Sequence, residues 1–324
     1  MPAARLRSLL VALLMIGTVG LVVPVASRVA ASEADEPVYV DWTALLPGLV
    51  DTYDPGSSND CVAGRVSCIS AAVKEMERRF LPLAESCSHD AVFAMTYLRI
   101  TQTYKWSVEQ PGYYEDPRWM NHAVAVFAKY YLRAFDAWQV GNTAAVPEAW
   151  RIAFGASGAK RVSGSGNLML GVNAHINRDL AFAMEAAGLA DEDGSKKRNF
   201  DTVNKVLNSA TLALTAELAA RFDPSMADSG SPYHVDSVAI GNVMFGWREQ
   251  AWRNAEALSS APTEAARALV AQQIEANSVA QAQAWLASSA YVPPLSTSAP
   301  RDSYCAAHHW DAAPQAYPFG TPRR

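Results

Sequence analysis

Positive charge, reactive-site motifs and strand-like patterning are what this sequence has least of. Lysine and arginine total 27 against 32 aspartate and glutamate, a formal net charge of −5. An acidic chain has no general electrostatic grip on nucleic acid or on anionic lipid, so neither is an expected partner. No Gly-x-Ser-x-Gly elbow, phosphate loop, dinucleotide fingerprint or His-Glu-x-x-His pair occurs. Their absence removes the commonest sequence routes to serine hydrolases, nucleotide enzymes and zinc peptidases. Strict two-residue alternation with hairpin turns is also missing, which argues against a sheet. Past the N-terminal region no segment is long and apolar enough to span a bilayer.

The N-terminus is where the long apolar run lies. Arg5 and Arg7 precede Leu9 to Ile16, then Leu21-Val22-Val23-Pro24 and the small residues Val29-Ala30-Ala31. A basic start, a short apolar stretch and a small-residue cleavage site make residues 1–31 a secretory signal peptide. The competing reading, an uncleaved anchor, is weakened by Gly17, Gly20 and Pro24 and by the run's shortness. Removing residues 1–31 takes away Arg5, Arg7 and Arg28 and no acid, leaving 24 basic against 32 acidic residues, net −8. The expected address is secreted, with no stable membrane span after cleavage.

Cysteine is scarce: Cys61, Cys68, Cys87 and Cys305. The even number suits an oxidising compartment, and the spacings match no common zinc cluster. Cys61 and Cys68 can close a tight loop, which leaves Cys87 for Cys305. In the chain-entropy model the long bridge is worth up to about 5 kcal/mol.

Helical periodicity dominates the rest. The pattern predicts helices over 70–85, 91–106, 118–140, 148–154, 167–187, 200–222, 238–259 and 263–289, with a Gly/Ser loop over 155–166. The expected fold is all-α: one multi-helix, bundle-like domain over 66–290 with irregular, disulfide-tethered flanks. Residues 32–65 are irregular, and 291–324 form a Pro- and Ser-rich tail.

One segment stands apart, Gly166 to Leu180. On a helix, His175 and Asp179 lie one turn apart on an inward face with Leu168, Gly171, Val172 and Phe182, while Asn173 and Asn177 pair on nearly the opposite face. Gly171 would let a neighbour approach closely. A buried carboxylate must be paired, and His175 is its local partner. Such a pair can act as two ligands of a divalent metal such as zinc, as an oriented general base, or as a structural ion pair. Arg99, in an apolar helix, also needs an acid, with Asp179 as one candidate. The candidate site is therefore His175, Asp179, Asn177 and Arg99, with His175 and Asp179 as metal ligands. Asp136, sharing a side with Lys129 and Arg133, reads as a solvated face. His122 reads as a surface or satisfied histidine, Trp247-Arg248 and Trp252-Arg253 as amphipathic packing, and His308-His309 as exposed.

Asn173 to Leu180, with Tyr97 to Thr101 before it, Pro147 to Trp150 between and Ala251 to Ala255 after, resembles a mainly actinobacterial helical family known only as a domain of unknown function. The resemblance covers about residues 70 to 290 and implies that His175, Asn177 and Asp179 act together, but lends no activity. A looser likeness is to secreted helical zinc phosphodiesterases, which use His-x-x-x-Asp/Glu arms. Those enzymes carry more than one arm and an N-terminal Trp ligand, whereas here one arm is present and the mature chain would begin at Ser32. Two functions follow as expectations. One is a metal-dependent hydrolase of a phosphodiester-like substrate centred on His175 and Asp179. The other is a non-catalytic extracellular binding or structural protein, with a small molecule or lipid as ligand. The signal-peptide reading predicts that protein recovered from the medium starts near Ser32 by N-terminal sequencing. Residues 1–31 intact in a membrane fraction would overturn it.

Overall fold

A computed structural model describes residues 52–227 and 235–314, with the side chains of 235–240 left aside. The expected signal peptide, residues 1–31, and most of the segment 32–65 expected to be irregular lie outside the described residues. Among the described residues the secondary structure is helical, with one isolated bridge between Val162 and Ala290. The helices are α1 (Val66–Glu85), α2 (Ala91–Val108), α3 (Pro117–Gln139), α4 (Glu148–Gly158), α5 (Gly164–Val172), α6 (Leu180–Ala187), α7 (Ser195–Arg221), α8 (Val235–Ser259), α9 (Glu264–Ser289) and α10 (Ala299–His308). Between α5 and α6 a π turn, Asn173–Asp179, keeps the chain helical throughout, so residues 164–187 form one rod.

That rod is the centre. Helices α2, α3, α4, α8 and α9 pack around it, α1 flanks α2 and α3, and α7 lies against α2, α3 and α8. Its sequence explains the position. Apolar or small residues occupy almost every place, and all of 168–177 is buried. Such a segment is stable only when surrounded. Gly171 is where α2 comes closest: a Cβ there would lie 2.4 Å from the Phe93 ring.

The expected helices are present, and the departures have local causes. Helix α1 starts at Val66 rather than Ser70, so Cys68 lies in its first turn, tied by the disulfide to Cys61 in the preceding turn. The expected Gly/Ser loop shrinks to a few residues: α4 runs on through Gly155 to Gly158, and α5 begins at Gly164 behind a Ser163 cap. Buried Ala153, Phe154, Ala156 and Ser157 outweigh the roughly 1 kcal/mol that glycine costs a helix. The tail contains α10, which has proline in its first turn, Asp302 near its start and His308 near its end, as the helix dipole favours.

Both disulfides pair as expected, Cys61 with Cys68 and Cys87 with Cys305. The second staples α10 to the α1–α2 corner beside a buried polar cluster. His89 Nε2 donates to Asp302 at 2.8 Å, and its Nδ1 accepts from Arg301 at 3.1 Å. The Arg301 guanidinium also donates to Asn167 at 2.6 Å. Burial and the neighbouring Arg301 charge push His89 down to about 4, against the pull of Asp302. The folded value lies below the ordinary one, so this contribution is complete above about pH 6.5 and is lost as pH falls toward 4.

Two charged groups correct the sequence reading. Asp136 is not on a solvated face: Arg79 of α1 grips it at 2.6 and 2.8 Å. Arg99 does not pair with Asp179. It donates to both oxygens of Glu217 on α7, at 2.7 and 2.8 Å, with both side chains fully buried. Arg221, one turn after Glu217, donates to the same carboxylate at 2.8 Å. Partners 118 residues apart have no sequence signature.

Two expectations follow. Glu217→Gln leaves two buried guanidinium groups facing a neutral amide and should cost about 3–5 kcal/mol, read from denaturant midpoints; a loss under about 1 kcal/mol would refute the assignment. In the wild type, stability should fall by roughly 3 kcal/mol between pH 6.5 and 4 through His89 alone. His89→Gln should flatten that limb of the pH–stability curve, and an unchanged limb would count against it.

Candidate functional site

The rod, α2, α3, α7 and α8 do not close completely on one another. They leave a cavity of about 120 Å³ walled by Phe93, Tyr97, Phe127, His175, Leu207 and Met244 among others. Nearly all of the wall is apolar, and among the described residues no carboxylate lines it. The π turn presents His175 here. The imidazole stacks on Phe127 with centroids 3.6 Å apart and planes 8° from parallel. Tyr97 crosses it edge-on at 4.2 Å, and Phe93 at 5.8 Å.

Behind the imidazole lies Asp179, fully buried. Its Oδ2 accepts from Trp150 Nε1 at 2.8 Å and faces His175 Nδ1 at 3.4 Å. Its Oδ1 accepts from Arg178 at 2.6 Å, and Arg178 continues to Glu275 of α9 at 2.7 Å. Helix α4 and the π turn itself therefore supply the partners of this carboxylate, and α9 is reached through Arg178. Burial pushes His175 below its ordinary value despite the pull of Asp179, so the ring is neutral near pH 7. A carboxylate facing Nδ1 places the ring proton there, which leaves Nε2 as a lone-pair acceptor.

The polar groups of the wall are otherwise spent. Thr96, Thr101, Thr211 and Thr215 each donate to the carbonyl four residues back. The Tyr104 hydroxyl donates to Asn121 at 2.8 Å. Arg248 donates to Asn204 and to the Phe200 carbonyl and lies 4.1 Å over the Phe200 ring. Burial lowers it to about 10, against the charge of Asp201. Two residues of the wall each carry a buried polar atom without a hydrogen-bond partner: His175 Nε2 and the Tyr97 hydroxyl. Burial, and then the Asp179 charge, hold the Tyr97 phenol well above its ordinary value, so it keeps its proton.

The four sequence candidates therefore separate. His175 and Asp179 meet as expected. Asn177 turns away toward α9, donating to Asn173 at 3.1 Å, while Asn173 donates to the Ser278 carbonyl. Arg99 belongs to the Glu217 cluster. Among the described residues no three His, Cys, Asp or Glu side chains are grouped to hold a metal ion. The pair alone offers two ligands, and both oxygens of Asp179 are already engaged. His122 is fully buried and satisfied, its Nδ1 3.0 Å from the Cys61 carbonyl.

Tyr97, Phe127 and Trp150 went unassigned in the sequence reading. Tyr97 and Trp150 sit in the stretches that carried the family resemblance, and this was the available signal; Phe127 had only its place on the apolar face of α3. Arg248, read there as packing, is buried in the cavity wall. Among the described residues no helix is long and apolar enough to cross a membrane.

No curated protein and no solved structure matches the chain. A family model covers residues 69–288, the region that builds the rod, its surrounding helices and the cavity, and the chain belongs to that family, the family of unknown function DUF5995.

Proposed function

We propose that the protein is an exported, non-catalytic binding protein that holds a small, largely apolar molecule in the cavity, with His175 and Tyr97 at its polar end. The observation that carries this reading is the pair of unpartnered buried atoms, His175 Nε2 and the Tyr97 hydroxyl, in an otherwise apolar wall. Leaving a buried polar atom unpaired costs about 1–3 kcal/mol. Two in one cavity are tolerated when something enters to satisfy them. Asp179 acts through His175 as a positioning residue. Asn177 and Arg99 serve the architecture.

Export rests on the basic–apolar–small N-terminus and on two disulfides, which persist in oxidising compartments. The metal-hydrolase reading is less well supported. Zinc takes three or four protein ligands, the pair supplies two, and the described wall offers no carboxylate or free threonine hydroxyl as a nucleophile.

The cavity is slightly smaller than the apolar cavity of about 150 Å³ that admits benzene. Compounds built on a six-carbon ring are therefore suitable probes. At ten times its dissociation constant a bound probe should stabilise the fold by about 1.4 kcal/mol, a rise of a few degrees in Tm. Val203→Phe, which pushes a ring into the space from α7, should keep the fold and abolish the rise. If no six-carbon probe shifts the wild-type Tm or gives heat by calorimetry, the binding reading fails.

A further inference from the structure

We propose that the ligand is a small neutral alcohol whose hydroxyl donates its hydrogen to His175 Nε2 and accepts one from the Tyr97 hydroxyl. This deepens the binding reading and rests on it. The two orphan atoms are chemically opposite. Asp179 faces Nδ1 and holds the ring proton on that side, so Nε2 can only accept. The Tyr97 hydroxyl has a proton to give. A group that satisfies both must donate and accept at once, and the smallest such group is a hydroxyl. Both residues line the same cavity, with their ring centroids 4.2 Å apart.

Other head groups fit less well. An ether or a ketone accepts from Tyr97 but has nothing to give Nε2. An ammonium group donates but cannot accept. A carboxylate would bring a second negative charge toward Asp179, which is held immediately behind the imidazole. The cation in the wall is Arg248, and its guanidinium is already bonded to Asn204 and to the Phe200 carbonyl and stacked on the Phe200 ring. The remainder of the ligand is set by volume and lining: about 120 Å³ of apolar space accepts a ring or chain of about six carbons.

The test compares cyclohexanol, cyclohexane, methoxycyclohexane and cyclohexanecarboxylate by isothermal calorimetry on the full mature chain and on Tyr97→Phe and Arg248→Gln. Cyclohexanol should bind at least about tenfold more tightly than cyclohexane and than methoxycyclohexane, the latter comparison isolating the bond to His175 without altering it. Tyr97→Phe should remove most of the preference for cyclohexanol over cyclohexane while leaving the affinity for cyclohexane within about twofold, a split that general destabilisation would not produce. Equal affinity for cyclohexane and cyclohexanol would overturn the alcohol assignment and leave the binding reading standing. Tightest binding of cyclohexanecarboxylate, lost in Arg248→Gln, would overturn it by placing the head group at Arg248. Failure of all four probes on the wild type would overturn the binding reading itself.

Discussion

The Asp179 carboxylate is fully buried at the centre of a helical protein, and the surrounding structure is arranged to make that tolerable. A charge taken out of water costs several kcal/mol unless it is paired and hydrogen-bonded. Trp150 brings a donor from α4, Arg178 brings a countercharge and passes it to Glu275 on α9, and His175 faces the remaining side. Satisfying one carboxylate thus fixes how α4 and α9 sit against the rod. It also fixes which imidazole nitrogen carries the proton. The aromatic box around His175, with Phe127 flat against it and Tyr97 across its edge, is the apolar side of the same arrangement.

The other buried charges follow the same rule at the periphery. Glu217 holds Arg99 and Arg221, joining α7 to α2, and Asp136 holds Arg79, joining α3 to α1. Asp302 and Arg301 bracket His89 next to the Cys87–Cys305 bridge and dock α10. Each cluster uses an arginine with several donors, which suits a carboxylate with two oxygens. Among the buried polar atoms without a hydrogen bond, His175 Nε2 and the Tyr97 hydroxyl belong to residues that line the cavity between the rod, α2, α3, α7 and α8, whereas Asn199 Nδ2 lies outside it.

Much of this was legible in the chain. Helical spacing and caps located the helices because amphipathic periodicity and terminal residues are local properties. The disulfide pairing followed from an even cysteine number and one tight loop. The small, apolar, His-and-Asp-bearing stretch from Gly166 to Leu180 announced a buried helix, and Gly171 announced a close neighbour, which proved to be Phe93. The π turn was not legible, because His175 and Asp179 read equally well on a regular helix. Helix α4 continuing through two glycines depended on packing that overrides propensity.

What the sequence by itself determined was the set of elements and the pairing of residues close along the chain, since hydrogen bonds within helices and side chains one turn apart depend on spacing alone. Tertiary structure decided the partners. Arg99 finds Glu217 rather than Asp179, Asp136 finds Arg79 rather than solvent, and Trp150 finds Asp179. It also decided that five elements would leave a space, and that His175 Nε2 and the Tyr97 hydroxyl, on two residues that line it, would be buried unpaired. Charge pairing and cavity shape arise from side chains distant in sequence, and their meeting is settled by how whole helices pack, a global minimum that no local spacing encodes.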